Sequence, residues 1–230
     1  MDFQGYSPET FDFLWGLRFN NNREWFMEHK KDYVNYLYEP TKTLGAALYE
    51  PFAEQPGMGY RVSRIYKDVR FSKGDPYKES LWIAIRRSAD RWDSESTLYF
   101  EIRPEGCHYG LVFWRPEAAL MQAFRNDITA RPALYDMIVS CEQAAGCLLE
   151  GDSYVRKRFE APRPELERFF NRKGFWASVH LEPGELMFSR DLVPAVQKTM
   201  KALTPLNEYF QTLTASFRES EEMTTARDSA

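Results

Sequence analysis

The chain has 230 residues, a formal net charge of −4 and a sequence pI of about 5.6. This acidic balance argues against a general nucleic-acid coat protein, because such a protein needs a broadly basic surface. Hydrophobic residues make up 43% of the chain and aromatic residues 16%, which is enough for a substantial core. We expect a single domain over residues 1–218, followed by an acidic, disordered tail at residues 219–230.

The sequence also predicts a compartment. Its N-terminus has no basic stretch followed by an apolar run, so no signal peptide is visible. No apolar segment approaches the roughly 20 residues that a membrane-spanning helix needs. The three cysteines form no CxxC and no metal-ligand spacing, which is typical of buried thiols in a reducing environment. We therefore expect a cytoplasmic protein that does not associate with membranes.

Helices dominate the N-terminal fifth of the predicted structure. Ser7 and Pro8 form a strong helix start, since Ser can cap and Pro suits the first helical position. Asn20-Asn21-Asn22 ends that helix, and Asn22 can cap a second one. Pro40 is expected to start a third helix.

Strand patterns begin near Tyr60. The predicted strands are Tyr60–Tyr66, Leu81–Arg87, Thr97–Arg103 and Cys107–Trp114. The last two alternate most clearly, and the Pro104-Glu105-Gly106 turn between them indicates a hairpin.

The C-terminal half alternates between helices and short strands. We expect helices from Pro116, from Pro132 to Gly146, over Pro164–Asn171, over Leu192–Leu203 and over Leu206–Phe217, with an interruption near Pro194. A second hairpin is predicted from Leu148–Glu150 and Tyr154–Phe159, and a further strand at Trp176–Leu181. Because the strands cluster between helical ends, the sequence predicts an α+β fold. Its central sheet is antiparallel or mixed, with helices from the N- and C-terminal regions packed on it.

Positive charge is concentrated in one stretch of this acidic chain. Residues 61–91 hold nine basic and four acidic side chains, a surplus of five positive charges. Within it, apolar Ile65, Val69 and Phe71 alternate with charged residues, which indicates partial burial. A buried cation needs a carboxylate, a carbonyl or an anionic ligand. Unpaired donors that converge there would favour phosphate or carboxylate, at about 1.5–3 kcal/mol for each charge-assisted hydrogen bond.

Two interpretations of these charges involve no ligand. They are a charged strand edge that prevents further strand addition, and a structural Arg–Asp network. We expect an anion site in the basic segment, Arg61–Lys78. Its predicted ligand-binding residues are Arg64, Tyr66, Lys67, Asp68, Arg70, Ser72, Lys73, Tyr77 and Lys78.

Three stretches carry a resemblance to a known family. They are Asn21–Phe26, then Ser63–Lys73 with Pro76–Lys78, then GLVFWRP at Gly110–Pro116. Over about residues 3–210 the chain resembles the uncharacterised family catalogued as domain of unknown function 2461. The resemblance implies an α+β fold and brings no established reaction, substrate or catalytic residue. The chain departs from the usual family pattern after Lys73, where Gly74-Asp75 is short, and at Asp90–Ser96.

The sequence evidence for a functional role is weaker for the other candidate residues. Asn20–Phe26 can place Arg23 and Trp25 beside the basic segment, although a helix junction with Trp25 and Phe26 in the core is the favoured interpretation. Glu101 and Arg103 share one face of a strand and form either an acid/base pair or, more simply, an exposed salt bridge across strands.

The remaining chemistry-bearing residues give no further site. His29, His108 and His180 are scattered in sequence, so no metal site is predicted. No GxSxG, Walker loop, GxGxxG or HExxH motif is present, and the sequence names neither a cofactor nor an oligomeric state.

Two functions remain open. One is a binder, or an enzyme of unknown reaction, that holds an anionic small ligand at Arg64, Arg70, Lys73 and Lys78. The alternative is an interaction module that docks an acidic protein partner or a nucleic-acid backbone, although the acidic pI makes nucleic acid the less favoured partner. The shape of the site discriminates between them, because a concave surface suits a small ligand.

Overall fold

A computed structural model describes residues 2–68, 74–87 and 95–228. The predicted site residues Arg70, Ser72 and Lys73 lie outside this range. The chain divides into two compact units. The first unit contains Met1–Arg87, Tyr99–Tyr109 and Val179–Lys198, and the second contains Ser88–Leu98, Gly110–Ser178 and Thr199–Ala230. The single domain over residues 1–218 and the disordered tail beyond it remain predictions.

Helices flank the strands in chain order. The α-helices are α1 (Pro8–Phe19), α2 (Arg23–Glu28), α3 (Lys30–Asp32), α4 (Glu39–Tyr49), α5 (Ala118–Ala130), α6 (Pro132–Ala145), α7 (Glu167–Phe170) and α8 (Leu192–Asp228). A π-helical turn at Tyr33–Tyr38 joins α3 to α4, and 3₁₀ turns lie at Glu50–Phe52 and Pro164–Leu166.

Within the described residues, six strands form one antiparallel sheet. They are β1 (Met58–Val62), β2 (Leu81–Arg87), β3 (Ser96–Arg103), β4 (Gly106–Phe113), β5 (Leu149–Glu150) and β6 (Phe175–Leu181), in the spatial order β1-β2-β3-β4-β6-β5. Together with the helices this confirms the predicted α+β class. In the antiparallel register, Arg61 of β1 lies opposite Ala84 of β2, and Leu149 of β5 lies opposite Ala177 of β6.

The helix predicted to restart at Pro40 is in fact continuous through it. Proline lacks the N–H that would bond the carbonyl four residues earlier, which belongs to Tyr36. That carbonyl instead accepts a hydrogen bond of 2.6 Å from the Thr10 hydroxyl on α1. The preceding turn widens to the π form, in which the Glu39 N–H bonds the Val34 carbonyl. A tertiary contact therefore compensates for the missing helical bond.

The core of the first unit lies on one face of its strands. Ile83 and Ile85 of β2, and Phe100 and Ile102 of β3, are fully buried and alternate with partly exposed neighbours on β3. Further buried side chains come from the N-terminal helices and include Leu14, Leu17, Phe26, Leu37, Leu44 and Leu48.

An aromatic cluster forms the core of the second unit. Its fully buried members are Phe113, Phe124, Phe169, Phe175 and Phe210. The ring centroids lie 4.6 Å apart for Phe113 and Phe210 and 4.9 Å apart for Phe124 and Phe175, within the range of favourable aromatic pairs. Burial of such rings contributes most of the apolar stabilisation of this unit.

Several predicted boundaries need correction. The hairpin of β3 and β4 and the strand Leu81–Arg87 are confirmed, but the strand predicted at Tyr60–Tyr66 already ends at Val62. The second hairpin is wrong, because β5 pairs with β6 and Tyr154–Phe159 is not a strand. The two helices predicted near the C-terminus are one helix, α8, with Pro205 inside it and no break at Pro194.

None of the helices found in the described residues combines the length and the apolarity needed to cross a bilayer.

Candidate functional site

Polar side chains project from the face of the sheet opposite the core. On β4, Cys107 and Tyr109 are buried and His108 between them is partly exposed. On β3, Glu101 is likewise partly exposed between buried Phe100 and Ile102. His180 is exposed near the end of β6. The strict alternation of side chains along strands places this chemistry away from the apolar core.

Part of this face lies in a cleft of about 540 Å³ within the first unit. We call it the histidine cleft, and its lining residues are Arg18, Glu79, Ser80, Arg103, Glu105, His108 and His180.

The arginines of the histidine cleft are bound to carboxylates. Arg18 donates through Nε to Glu79 at 2.5 Å and through Nη1 to Glu105. Arg103 donates to Glu101 at 2.5 Å. Glu101 also accepts a hydrogen bond of 2.7 Å from the Ser80 hydroxyl. The positive charge of the cleft is therefore already neutralised.

Two histidines meet in the cleft although 72 positions separate them in sequence. Nδ1 of His180 lies 3.0 Å from Nε2 of His108. Burial lowers the pKa of His108 below the ordinary imidazole value. The positive charge of Arg103 lowers the pKa of His108 further, so its neutral form dominates at neutral pH.

Gly106 explains how β4 approaches the chain at the end of β6. Its φ of +133° lies in a region that side-chain-bearing residues rarely adopt. A Cβ atom at this position would lie 2.1 Å from the carbonyl oxygen of Leu181, next to His180. Only glycine therefore permits the close approach that brings the two histidines together.

The basic segment has a separate local structure. An antiparallel bridge joins Tyr66 to Tyr77. The Lys67 N–H donates to the Pro76 carbonyl at 2.9 Å, and the Lys78 N–H donates to the Ile65 carbonyl at 2.7 Å. The stretches on either side of residues 68–75 are thus held together.

An amide from the junction of α1 and α2 fixes this bridge. The side chain of Asn21 donates to the Tyr77 carbonyl at 3.0 Å and accepts from the Tyr77 N–H at 3.1 Å. The ring of Phe26 stacks on Tyr77, with centroids 4.1 Å apart, and touches Tyr66 edge-on at 5.8 Å. Phe26 is buried as predicted, whereas Trp25 is only partly buried, and Asn21 and Phe26 do lie beside the basic segment.

Three cations of this region have no acid partner within the described residues: Arg61, Arg64 and Lys78. Burial lowers the pKa of the Lys78 ammonium, and the nearby positive charge of Arg61 lowers the pKa of Lys78 further. Lys67 differs, since its ammonium lies 3.9 Å from a carboxylate oxygen of Asp75.

The predicted site residues fall into distinct environments. Arg64 and Asp68 are exposed, and Tyr66 is 52% exposed. Tyr77 is buried and Lys78 is partly buried. None of these residues lines the histidine cleft, although Glu79 and Ser80, which directly follow Lys78, do.

Sequence reasoning missed the histidine cleft. Arg18, Glu79 and Glu105 had no motif to mark them, because their ion pairs join residues that are distant in sequence. The histidines carried a weak signal, since each occupies an outward position of a predicted strand. Glu101 and Arg103 do pair, but within β3 and not across strands as expected.

No group of three or more potential metal ligands occurs in the part of the chain that the structure describes. The cysteines Cys107, Cys141 and Cys147 are free thiols. Burial raises the pKa of the Cys107 thiol to about 12 and that of Cys147 to about 11, so neither is activated as a nucleophile.

Comparison with family models identifies the family to which the chain is similar. A family model described as "Conserved hypothetical protein (DUF2461)" matches residues 9–209. No curated protein matches the chain.

Proposed function

The chain belongs to the DUF2461 family of conserved hypothetical proteins, and we propose that it binds an anionic small ligand at the basic segment. The ligand carries a phosphate or carboxylate group. One observation carries this proposal: in the described residues Arg61, Arg64 and Lys78 have no acid partner, whereas the arginines of the histidine cleft do.

The environment of Lys78 supports an anion at this place. Its ammonium is partly buried and lies near a second cation, Arg61, and both conditions disfavour the charged form. A bound anion would relieve the repulsion and accept hydrogen bonds from both groups. Each charge-assisted hydrogen bond contributes about 1.5–3 kcal/mol, so two of them suffice for micromolar to millimolar binding after ordering costs.

The aromatic wall supplies a rigid support. Tyr66 and Tyr77 pack against each other with centroids 5.5 Å apart, and Asn21 clamps the backbone of Tyr77. Few rotatable bonds remain to be frozen when a ligand binds, which lowers the entropic cost. Tyr66 is half exposed, and we assign to its hydroxyl a hydrogen bond to the ligand.

The other predicted residues of the segment complete the proposal. Arg70, Ser72 and Lys73 fall in sequence between Lys67 and Pro76, whose backbones are hydrogen-bonded to each other. We assign to them two further cations and a hydroxyl donor for the same anion. Asp68 would orient one of the cations.

Isothermal titration calorimetry with inorganic phosphate, sulfate, a nucleotide and a sugar phosphate tests the proposal. Arg61→Gln and Lys78→Gln should each weaken binding about tenfold, because each removes one charge-assisted bond. Lys198→Gln is the matched control, since Lys198 is exposed on α8 in the same unit. The proposal fails if no anion binds the wild-type chain, or if the control loses as much affinity as the two variants.

The second candidate function is an interaction module for an acidic protein partner or a nucleic-acid backbone. It is favoured by the exposure of Arg64, Tyr66 and Asp68, which lie open to a macromolecular surface. Contact with several phosphates would make the affinity fall steeply with added salt, whereas a small ligand held by two cations responds weakly. Repeating the titration between 50 mM and 200 mM salt separates the two.

We propose a cytoplasmic location for this activity. The three cysteines are all free, which suits a reducing compartment.

A further inference from the structure

The contact between His108 and His180 has the N···N distance of a hydrogen bond, but the two rings are not collinear. Their facing nitrogens are 3.0 Å apart, and their ring centroids are 4.5 Å apart with the planes inclined at 51°. A straight N–H···N bond would hold the centroids about 5 Å apart or more. The observed separation is shorter, so the rings are angled with respect to each other.

The same spacing suits two ligands of one metal ion. Zinc–imidazole bonds are about 2.0–2.1 Å long, so two nitrogens on one ion at about 90–110° lie roughly 2.9–3.4 Å apart. The 3.0 Å between Nδ1 of His180 and Nε2 of His108 falls within that range.

Charges of both signs surround the pair. Arg18 and Arg103 are each bound to carboxylates, although the charge of Arg103 still lowers the pKa of His108. Glu101 and Glu105 lie near enough to His108 to act on it electrostatically. With Glu79, the cleft and its edge hold three carboxylates against two guanidinium groups.

We propose that His108 and His180 chelate a divalent transition-metal ion of the Zn²⁺, Ni²⁺ or Cu²⁺ class in the histidine cleft. Neutral imidazole is a preferred ligand of these ions, whereas Mg²⁺ and Ca²⁺ require oxygen ligands. With two protein ligands, the remaining positions are filled by water or by a molecule that enters the cleft. The ion is therefore exchangeable and open to a further ligand.

Calorimetric titration of the metal-free full chain with Zn²⁺ and with Ni²⁺ tests this site. One ion should bind per chain, and His108→Gln and His180→Gln should each weaken binding at least tenfold. His29→Gln is the matched control, because His29 stacks on Trp25 in the same unit, away from the pair, and should change affinity less than twofold. Mg²⁺ should produce no binding heat.

Spectroscopy of the Cu²⁺ complex gives an independent measurement. Electron paramagnetic resonance of the wild-type chain should show coupling to two imidazole nitrogens. The His180→Gln variant should show one, and its exposed position leaves the core intact. Binding that survives both histidine substitutions, or a wild-type signal with one nitrogen, overturns the proposal.

Discussion

Replacement of Lys78 by Met should stabilise the protein while weakening its response to anions. Lys78 is partly buried near Arg61 and has no acid partner among the described residues, so the folded state holds an uncompensated cation. Methionine keeps the length of the side chain and removes the charge. Because solvent screens part of the repulsion, we expect a gain of about 0.5–1 kcal/mol, typical of stabilising substitutions at functional surfaces. For a chain of this size that corresponds to a rise of roughly 1–4 °C in Tm.

The gain in free energy of unfolding from Lys78→Met should decrease as the pH rises. The pKa of Lys78 is lower in the folded state than in the unfolded state. Its destabilising effect is therefore fully present below the folded pKa, and it disappears as the pH rises toward the ordinary lysine value of about 10.4. The stability difference between Lys78→Met and wild type should be largest near pH 7, shrink as the pH approaches about 10.4 and vanish above it.

Phosphate should reverse the order of stability, so that the wild type becomes more stable than Lys78→Met. At a concentration of 100 Kd, ligand binding stabilises the wild type by about 2.7 kcal/mol. A variant that binds about tenfold more weakly gains only about 1.4 kcal/mol. Added to its initial advantage, this leaves Lys78→Met less stable than the wild type in saturating phosphate.

Urea denaturation followed by tryptophan fluorescence, with and without phosphate, measures both effects. Lys198→Met is the control for removal of an exposed charge and should not change the order. The reasoning is refuted if Lys78→Met is less stable than the wild type at pH 7 without phosphate. Such a result would make Lys78 a structural cation.

Three further predictions concern the fold. Arg168→Met should lower the free energy of unfolding by about 3 kcal/mol, because it leaves the buried Glu142 without a counter-ion and with only the Leu149 N–H as a donor. Glu142→Gln should lower it less, because Arg168 can reach solvent; urea midpoints in the opposite order would contradict this. Asn21→Ala should lower the free energy of unfolding by about 1–2 kcal/mol and weaken phosphate binding, because both hydrogen bonds of Asn21 hold the Tyr77 backbone. An unchanged calorimetric titration with phosphate would contradict the proposed dependence of binding on Asn21. Burial raises the pKa of the Cys107 thiol to about 12, so the thiol should resist iodoacetamide at pH 8 until urea unfolds the chain. Rapid labelling of Cys107 in the native protein, detected by mass spectrometry, would contradict its burial.

Local signals predicted the elements that are stabilised locally. The hairpin of β3 and β4 was predictable because the turn at Pro104-Glu105-Gly106 and the alternating strands lie within one short stretch. The helix start at Ser7 and Pro8 depends on two adjacent residues and is also observed. In both cases the information that defines the structure lies within one short stretch, from Ser96 to Phe113 for the hairpin.

Elements with distant partners were mispredicted. The segment Tyr154–Phe159 resembles a strand, but the side chain of Asn171 accepts from the Arg158 and Phe159 N–H groups and donates to the Phe159 carbonyl. These bonds satisfy the backbone without a neighbouring strand. No pattern within the segment reveals that a residue more than ten positions away will do this.

Proline also gave a misleading signal in the C-terminal helix. A proline in a helix interior costs about 3 kcal/mol, which favours a break near Pro205. Leu203, Leu206 and Phe210 are fully buried around it in the second unit. Burial of three such side chains at about 1.5–3 kcal/mol each exceeds the cost of the proline, so α8 continues.

The histidine cleft could not be predicted because it depends on strand order. His108 and His180 meet only because β6 lies next to β4, with β5 displaced to the edge of the sheet. The alternation of each strand fixes which side chains share a face, but not which strands are neighbours.

The two candidate sites differ in how their cations are compensated, and this difference defines what each can bind. In the cleft, Arg18 and Arg103 are held by carboxylates, which leaves the two imidazoles as the ligands of the metal ion that we propose. In the basic segment, the charge of Arg61 acts on Lys78 and neither has a carboxylate partner in the described residues, which is why we propose an anion there. Because folding gains nothing from the repulsion between like charges, an unpaired pair of cations is more readily explained by a ligand than by stability. The two proposals can therefore be tested separately, since the proposed phosphate binding would depend on Lys78 and the proposed metal binding on His180.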